Sequence, residues 1–350
     1  MSGTSLDGLD IAYVELANDP GKGWAFELLN AHTYSYSADI QDKLSRSTEL
    51  SASQLFHLDK ELGRVMADCI LTFLKENKIP KADIDLIASH GHTVFHQPAG
   101  PAGFTLQIGC GSSIALLTGI RVVNDFRTKD VILGGQGAPL VPIGDFALFG
   151  QEADAFLNIG GITNISFKDQ GKIKAFDGCP GNLPLNKLAQ NKGLSYDKNG
   201  ELARSGEINF FLLDMLNALP YYREEGPKSL GIEWLEQHFY PLIKFDRDIE
   251  NNLRTVIEHE ASQIGSILNK YNLKSVLISG GGALNTFLIE RIQHYFNGEV
   301  RLPSREIIEF KEAIVFAFLG ALYLEKQPNC LSSVTGASRD VCGGVLHLPD

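Results

Sequence analysis

The chain has 350 residues, which is enough for two ordinary domains and a large core. Hydrophobic residues make up 44% and charged residues 21%, a balance typical of globular rather than disordered proteins. The net charge of -11 argues against a nucleic-acid-binding surface and against electrostatic adhesion to an anionic membrane.

The five cysteines include no C-x-x-C pair, so the sequence indicates neither a disulfide framework nor a zinc ribbon. The first residues lack the basic and apolar regions of a signal peptide, and no apolar run reaches the roughly 20 residues of a membrane span. We therefore expect a cytoplasmic protein that binds neither nucleic acid nor membrane.

Three glycine-rich turns stand next to apolar strands. The central one, within residues 158–166, joins a predicted buried strand to a second strand rich in β-branched residues. Residues 2–8 have the same design, and residues 279–283 end an apolar strand and lead into a helix. Because glycine leaves backbone N–H groups bare, such turns can approach the oxygens of a phosphate. Together they predict one nucleotide held between two lobes.

The first half of the chain is predicted to open with an antiparallel meander of strands at residues 9–16, 24–29 and 31–36. Apolar residues at three- and four-residue steps then predict a helix over residues 51–77, capped by Ser51 or Ser53. Its apolar face is expected to pack in the core.

A short strand over residues 84–89 leads into a histidine-rich segment with His90, His92 and His96. Three interpretations are open: a metal site, hydrogen bonds to a substrate, or a structural role. No acidic residue or cysteine stands at ligand spacing nearby, which argues against the metal.

Asp125 and Arg127 follow a predicted strand, where functional groups of open α/β sheets collect. Asp125 is equally well interpreted as the cap of a helix or turn. The next segment, residues 133–142, is predicted to be an uncharged loop whose Gln136 and bare backbone suit a neutral polyol. The elements of this region are predicted as a strand at 105–109, a helix at 112–118 and a strand at 121–124.

Near residue 150 the pattern of strand, glycine turn and strand begins again, which predicts two domains of similar build. Asp177 follows a strand and precedes a helix, so it can act as a proton acceptor or as an N-cap. Lys228 stands in a loop, where it can reach an anionic group or remain in solvent. The remaining elements are predicted as a strand at 172–176, a helix at 183–191, more than one helix over 203–219, a helix at 249–268, a strand at 275–278, and helices at 284–295 and 310–324.

These motifs together resemble the anhydro-N-acetylmuramic acid kinase family, which belongs to the superfamily of sugar kinases, actin and heat-shock ATPases. The resemblance follows the same order over nearly the whole chain. It rests on residues 2–8, 90–96, 105–109, 125–127, 134–142, 158–164, 177–182 and 333–338.

The resemblance implies an α/β protein with a two-lobed, duplicated, actin-like (ribonuclease H-like) fold and a central cleft. Residues 1–150, joined by the helix and tail at 310–350, would form one lobe, and residues 151–309 the other. The implied enzyme uses ATP and Mg²⁺ to open 1,6-anhydro-N-acetylmuramic acid with water and to phosphorylate it, giving N-acetylmuramic acid 6-phosphate in peptidoglycan recycling. The partner is thus a small amino sugar; the oligomeric state is left open, with a homodimer as one candidate.

The resemblance also assigns roles to individual residues. Asp177 would be the general base, with Asp125 as the second choice. The residues implied to hold the nucleotide are Gly3, Thr4, Ser5, Leu6, Asp7, Gly8, Leu9, Asp10, Gly160, Gly161, Asn164, Gly280, Gly281 and Gly282. Asp7 and Asp10 are also the candidates for Mg²⁺. The sugar would contact His92, Arg127, Gln136, Gly137, Asn182 and Lys228.

Three departures from the family pattern bear on function. Members of the family carry a short strand before residues 1–5 that is not seen here, and many have Gln where His92 stands. Many also read Asp-Thr-Gly-Pro-Gly-Asn where this chain has Asp-Gly-Cys-Pro-Gly-Asn. The first departure motivates an alternative function, a non-catalytic protein that binds the sugar or the nucleotide.

Overall fold

The computed structural model describes residues 1–3, 6, 8–100, 102–224 and 228–350. The chain divides into two units, unit 1 (Met1–Leu148 and Glu312–Asp350) and unit 2 (Phe149–Lys311). No helix in the described ranges is long and apolar enough to cross a membrane.

Both units combine strands and helices, which confirms the predicted α/β class. The strands are β1 Gly8–Asp19, β2 Gly23–Ser35, β3 Ile87–Ala88, β4 His92–Gln97, β5 Phe104–Ile108, β6 Val122–Asn124, β7 Ala155–Ile159, β8 Ile162–Asp169, β9 Lys172–Pro180, β10 Ser275–Ser279, β11 Glu299–Arg301 and β12 Val345–His347. The helices are α1 Ala38–Ser45, α2 Ala52–Glu76, α3 Gly111–Thr118, α4 Thr128–Ile132, α5 Val141–Leu148, α6 Asn182–Gln190, α7 Glu201–Ser205, α8 Phe210–Asn217, α9 Ile232–Trp234, α10 Ile249–Lys270, α11 Thr286–Tyr295, α12 Arg305–Leu324 and α13 Ser332–Thr335.

Unit 2 is built on one sheet with the strand order β11-β10-β7-β8-β9. The strands β7, β8 and β9 form an antiparallel meander, while β10 and β11 run parallel to β7. The central strand β7 is therefore hydrogen-bonded on both edges, and four of its five residues are buried. Helix α10 packs its buried face onto this sheet and completes the core of the unit.

The strands of unit 1 fall into three separate sheets among the described residues. β1 pairs with β2, β4 pairs with β5, and β6 lies between β3 and β12. A cavity of about 900 Å³ lies along β1 and β3 and is lined by residues of both strands and of helices α2 and α12. The described side chains of the unit's core form three clusters, and side chains of β1 belong to or pack against each of them.

Helix α2 confirms the sequence prediction closely. Ser51 is its N-cap, and a capping box with Gln54 satisfies the backbone N–H groups at the start of the helix. The predicted apolar face is the buried one and includes Leu58, Leu62 and Met66.

Two predicted elements were wrong in extent. The two strands predicted at 24–29 and 31–36 are one strand, β2, because a bulge opposite Tyr13 and Val14 changes the alternation without ending the pairing. The helices predicted over 203–219 are α7 and α8, which separate near Gly206, where a β-carbon would come within 2.2 Å of the backbone oxygen of Glu250. The segment 84–89 pairs only at Ile87 and Ala88.

Candidate active site

The carboxylate of Asp177 lies on β9 at a bulge. Asn164 on β8 is paired with Asp177, while Thr163 is paired with Cys179, so Gly178 is the extra residue between them. The bulge directs the Asp177 side chain to the amide of its cross-strand neighbour. Asn164 Nδ2 donates to Asp177 Oδ1 over 3.0 Å.

A second donor reaches the other oxygen of the same carboxylate. The backbone N–H of Leu230 donates to Asp177 Oδ2 over 2.8 Å. Burial raises the pKa of Asp177 above its usual value, and the hydrogen bonds from Leu230 and Asn164 oppose that rise because they favour the charged form. A half-buried carboxylate with a raised pKa and a fixed orientation is well suited to accept a proton.

The tip of the β7–β8 hairpin is joined to the start of helix α6. The backbone oxygen of Gly160 accepts from the N–H of Asn182, and that of Gly161 accepts from the N–H groups of Gly181 and Leu183. A β-carbon on Gly160 would meet nothing closer than 3.6 Å, so the outer side of this tip is open. Asp177 and the hairpin tip thus belong to one rigid corner of unit 2.

The triple glycine after β10 lies beside the same hairpin. Gly280 has φ near +80°, and a β-carbon there would come within 2.3 Å of Asn158 Oδ1. A β-carbon on Gly282 would overlap the side chain of Ile159. Gly281 alone borders open space, with Asn182 Nδ2 the nearest atom at 3.6 Å. Two of the three glycines are therefore required by packing on β7, and Gly281 is the one a ligand can approach.

A second polar cluster lies in unit 1 around Arg127. Its Nη1 donates to the backbone oxygen of Gly137 over 2.7 Å, and its Nε and Nη2 lie 3.2 and 2.9 Å from His90 Nε2. Since a guanidinium only donates, His90 Nε2 must be the acceptor, and its Nδ1 carries the proton donated to the backbone oxygen of Gly91. His90 is therefore neutral, and burial together with the charge of Arg127 holds its pKa well below the usual value.

The other two histidines of the segment also have protein contacts. His92 is buried, with Nδ1 3.4 Å from Ser2 Oγ, and burial lowers its pKa. His96 is exposed, and its Nδ1 lies 3.1 Å from Thr105 Oγ1. Within the described ranges, no group of three or more His, Cys, Asp or Glu side chains is arranged to hold a metal ion. The ring nitrogens of His90 are both engaged, which leaves it no free ligand atom.

The family model for anhydro-N-acetylmuramic acid kinase matches residues 1–349. A relative of that name from Vibrio cholerae is 38% identical over all of this chain and 97% of its own length. One from Legionella pneumophila (strain Lens) is 36% identical over 99% of this chain and 96% of its own length, and one from Haemophilus influenzae is 35% identical. This chain belongs to the anhydro-N-acetylmuramic acid kinase family.

The residues implied by the anhydro-N-acetylmuramic acid kinase resemblance divide between the two units. The first group lies together in unit 2, on the β7–β8 hairpin, on β9, at the start of α6 and after β10: Gly160, Gly161, Asn164, Asp177, Asn182 and Gly280 to Gly282. His92, Arg127, Gln136 and Gly137 lie in unit 1, where the backbone N–H of Gln136 is bonded to the backbone oxygen of Thr335. Their roles toward ligands stay predictions.

Part of the first glycine turn lies outside the described residues, namely Thr4, Ser5 and Asp7. Leu6 adopts φ near +59°, consistent with a tight turn, and Ser2 forms an antiparallel bridge with Leu9. The carboxylate of Asp10 accepts from Thr33 Oγ1 over 2.6 Å. Asp10 is therefore already engaged with a neighbouring strand, and the Mg²⁺ role predicted for Asp7 and Asp10 stays a prediction.

Asp125 and Lys228 have contacts that fit the structural alternatives considered for them. Asp125 Oδ1 accepts from the backbone N–H of Thr128 at the start of α4, as a capping side chain does. Lys228 Nζ donates to the backbone oxygens of Tyr221 and Glu224.

Sequence reasoning missed Asp130, which organises the loop that carries Gln136 and Gly137. Asp130 is fully buried; it accepts from Thr335 Oγ1 over 2.7 Å and from the backbone N–H of Gly137 over 2.8 Å. A β-carbon on Gly135 would overlap its carboxylate. No local pattern in the sequence indicates this contact, because Thr335 stands 205 positions from Asp130.

Proposed function

We propose that this chain uses ATP to convert 1,6-anhydro-N-acetylmuramic acid into N-acetylmuramic acid 6-phosphate during peptidoglycan recycling. Water attacks the anomeric carbon and loses a proton to the carboxylate of Asp177. The bond from that carbon to the bridging oxygen breaks, and the freed 6-oxygen attacks the γ-phosphorus. The bond between the β–γ bridging oxygen and the γ-phosphorus breaks, and ADP leaves.

One observation carries this proposal: in a chain that the family model matches over residues 1–349, the half-buried carboxylate of Asp177 is held by two donors beside the open glycine hairpin of unit 2. Phosphoryl transfer needs mainly positioning, charge neutralisation and one proton acceptor. Burial strengthens the acceptor by raising its pKa, and the two donors fix where it points.

The nucleotide would be held by the glycine turns. In unit 2, Gly160, Gly161 and Gly281 border open space or solvent, so phosphate or nucleoside atoms can approach their backbone. Mg²⁺ would neutralise charge on the triphosphate, and such ions are commonly held by one or two carboxylates together with phosphate oxygens. Asp10 is the described carboxylate that would contribute to its shell, and Asp7 is the second candidate.

The sugar would be recognised in part by unit 1. Arg127 and the loop around Gln136 are anchored by His90, Asp130 and Thr335, so the polar groups of this loop have a fixed orientation. A side chain held in this way loses little further entropy when it binds a sugar hydroxyl. The localisation and a homodimeric assembly remain expectations from the sequence.

The test is ATP consumption by the purified protein with 1,6-anhydro-N-acetylmuramic acid, beside ordinary N-acetylmuramic acid at the same concentration. We expect turnover with the bridged sugar and far less with the open one. If the protein binds either ligand but converts neither sugar, with or without residues added ahead of Met1, the non-catalytic alternative replaces this proposal.

A further inference from the structure

The carboxylate and the backbone of Asp177 accept hydrogen bonds from several parts of unit 2. We infer that Asn164, Tyr221 and Lys228 are positioning residues, which hold this carboxylate in one plane without contacting the substrate. The inference rests on the proposed function in taking Asp177 as the base. Asn164 lies on β8, whereas Tyr221 and Lys228 stand seven positions apart, after α8.

Asn164 acts directly on the carboxylate. It faces Asp177 across the β8–β9 pair, and its Nδ2 lies 3.0 Å from Oδ1. A neutral amide that donates to a charged oxygen stabilises the ionised form. Both residues are half-buried, so water competes only partly for this bond. Asn164 was predicted from the resemblance to contact the nucleotide, which stays a prediction; its Nδ2 donates to Asp177.

Lys228 acts through Leu230, and Tyr221 acts through the backbone of Asp177. The backbone N–H of Asp177 donates to the backbone oxygen of Lys228 over 3.1 Å, which places the next residues alongside β9 and brings the N–H of Leu230 to Oδ2. The buried Tyr221 hydroxyl donates to the backbone oxygen of Asp177 over 2.6 Å. These bonds join residues 228–230 and Tyr221 to Asp177 at different atoms.

The ammonium of Lys228 closes this arrangement. It donates to the backbone oxygen of Tyr221 over 2.8 Å and to that of Glu224 over 3.1 Å, and it lies 4.2 Å from the centre of the Tyr221 ring. These contacts join the side chain of Lys228 to Tyr221. We define Tyr221, Lys228 and Leu230 as the clasp.

Burial shifts the pKa of the ionisable side chains around Asp177 and the clasp toward their neutral forms. On β9, burial keeps the thiol of Cys179 neutral by raising its pKa, and on α10 burial does the same for Glu260. Burial also raises the pKa of Tyr221 and Tyr222, so both phenols stay protonated. The amide of Asn164 and the N–H of Leu230 are therefore the contacts that favour the ionised base directly.

The first experiment compares Asn164→Ala and Asn164→Asp with the unchanged protein in pH profiles of kcat/KM. Loss of the donor should move the acid limb upward by about one pH unit, so that activity falls about tenfold on that limb and recovers at higher pH. Asn164→Asp, which keeps the shape and adds a like charge, should move the limb further. A uniform loss at every pH, with the limb unmoved, would overturn the role of Asn164.

A matched control is Asn30→Asp, which adds the same charge at an exposed position of β2 in unit 1. It should leave the pH profile in place. Direct titration of the Asp177 carboxyl by ¹³C NMR, assigned by its loss in Asp177→Asn, separates this inference from the proposed function. If the signal titrates higher in Asn164→Ala, the inference stands even in a protein without kinase turnover; if it does not, the inference fails even in an active kinase.

The second experiment addresses the clasp with Tyr221→Phe and Lys228→Met. Positioning predicts that both lower kcat, by about ten- to a hundredfold, with little change in the KM for the sugar. A direct contact of Lys228 with the sugar predicts instead a higher KM in Lys228→Met alone, with Tyr221→Phe near normal. The second pattern would overturn the role of the clasp.

Discussion

The strands next to the two glycine segments, β7 in unit 2 and β1 in unit 1, lie in different sheets. In unit 2 the strand β7 that leads into the hairpin is bonded to β8 on one edge and to β10 on the other. In unit 1 the strand β1 is bonded along its length to β2, while its other edge faces a cavity of about 900 Å³ shared with β3. On that edge the described contacts are with Met1 and Ser2, opposite Asp10 and Leu9.

The difference shows how a sheet fixes the positions of functional groups. A glycine turn is precise only when the strands on both sides of it are fixed by backbone bonds and by a buried core. Unit 2 meets both conditions around Asp177 and the Gly160–Gly161 turn, because the whole corner belongs to one core. Unit 1 fixes its polar groups in another way, by burying Asp130 and bonding it to Thr335 and Gly137.

The largest expected effect compares the two candidate bases. Asp177→Asn in unit 2 should lower turnover by about a thousandfold or more, since loss of a general base typically costs 10²- to 10⁴-fold. Asp125→Asn in unit 1 should cost less than about tenfold, because an asparagine oxygen can still accept from the N–H of Thr128. Steady-state kinetics of both variants make the measurement.

Nucleotide binding is the control for this pair, and both variants should retain it. The comparison would be reversed, and Asp125 would become the base, if Asp125→Asn abolished turnover while Asp177→Asn stayed near normal.

The next effect concerns side-chain packing on strand β7 of unit 2 and on strand β1 of unit 1. Leu157→Ala in β7 removes a side chain that is 1% exposed and should cost about 3 kcal/mol of unfolding free energy. Leu16→Ala in β1 removes a half-buried side chain that borders the cavity, so it should cost about 1 kcal/mol. Denaturant unfolding of both variants checks the difference, with near-native circular dichroism as the control. Equal costs would mean that the cavity does not weaken unit 1.

A smaller effect concerns the pH dependence of the unfolding free energy. Burial lowers the pKa of His259 in unit 2 to about 3, while its ring bonds to Asn217 and Tyr222. The unfolded chain binds the proton first, near pH 6.5, so the stability due to neutral His259 is present above pH 6.5. It is lost as the pH falls from there toward 3, by about 1.4 kcal/mol per pH unit.

The check is the unfolding free energy at pH 6.5 and pH 5.5 for the unchanged protein and for His259→Gln. The variant should depend less steeply on pH, since its amide does not titrate. If the unfolding free energy depends equally on pH in both proteins, His259 does not contribute to the pH dependence.

The sequence predicted elements well where the local signal and the core agree. Helix α2 has both the serine cap and an apolar stripe, and β7 with β8 has apolar strands around two glycines. Prediction failed where a distant backbone decides the local structure. Strand β2 continues through Leu29 because of a bulge in its pairing with β1, and no local pattern shows that bulge.

The residues of the candidate site could likewise be predicted only where the signal is local. Asp177 could be found as a carboxylate after a strand, because that placement is local. Its partners could not, since Leu230 and Tyr221 stand 53 and 44 positions away and act through a backbone N–H and a hydroxyl. Asp130 was missed for a similar reason: its partner Thr335 is 205 positions distant.

The central claim is that this chain opens the anhydro bridge with water while it transfers the phosphoryl group. The most direct measurement is a turnover in ¹⁸O-labelled water with 1,6-anhydro-N-acetylmuramic acid and ATP, with the product analysed promptly by mass spectrometry. The account predicts N-acetylmuramic acid 6-phosphate with one label on the anomeric oxygen and none in the phosphate. Label in the phosphate, or consumption of ATP with the bridge intact, would contradict it.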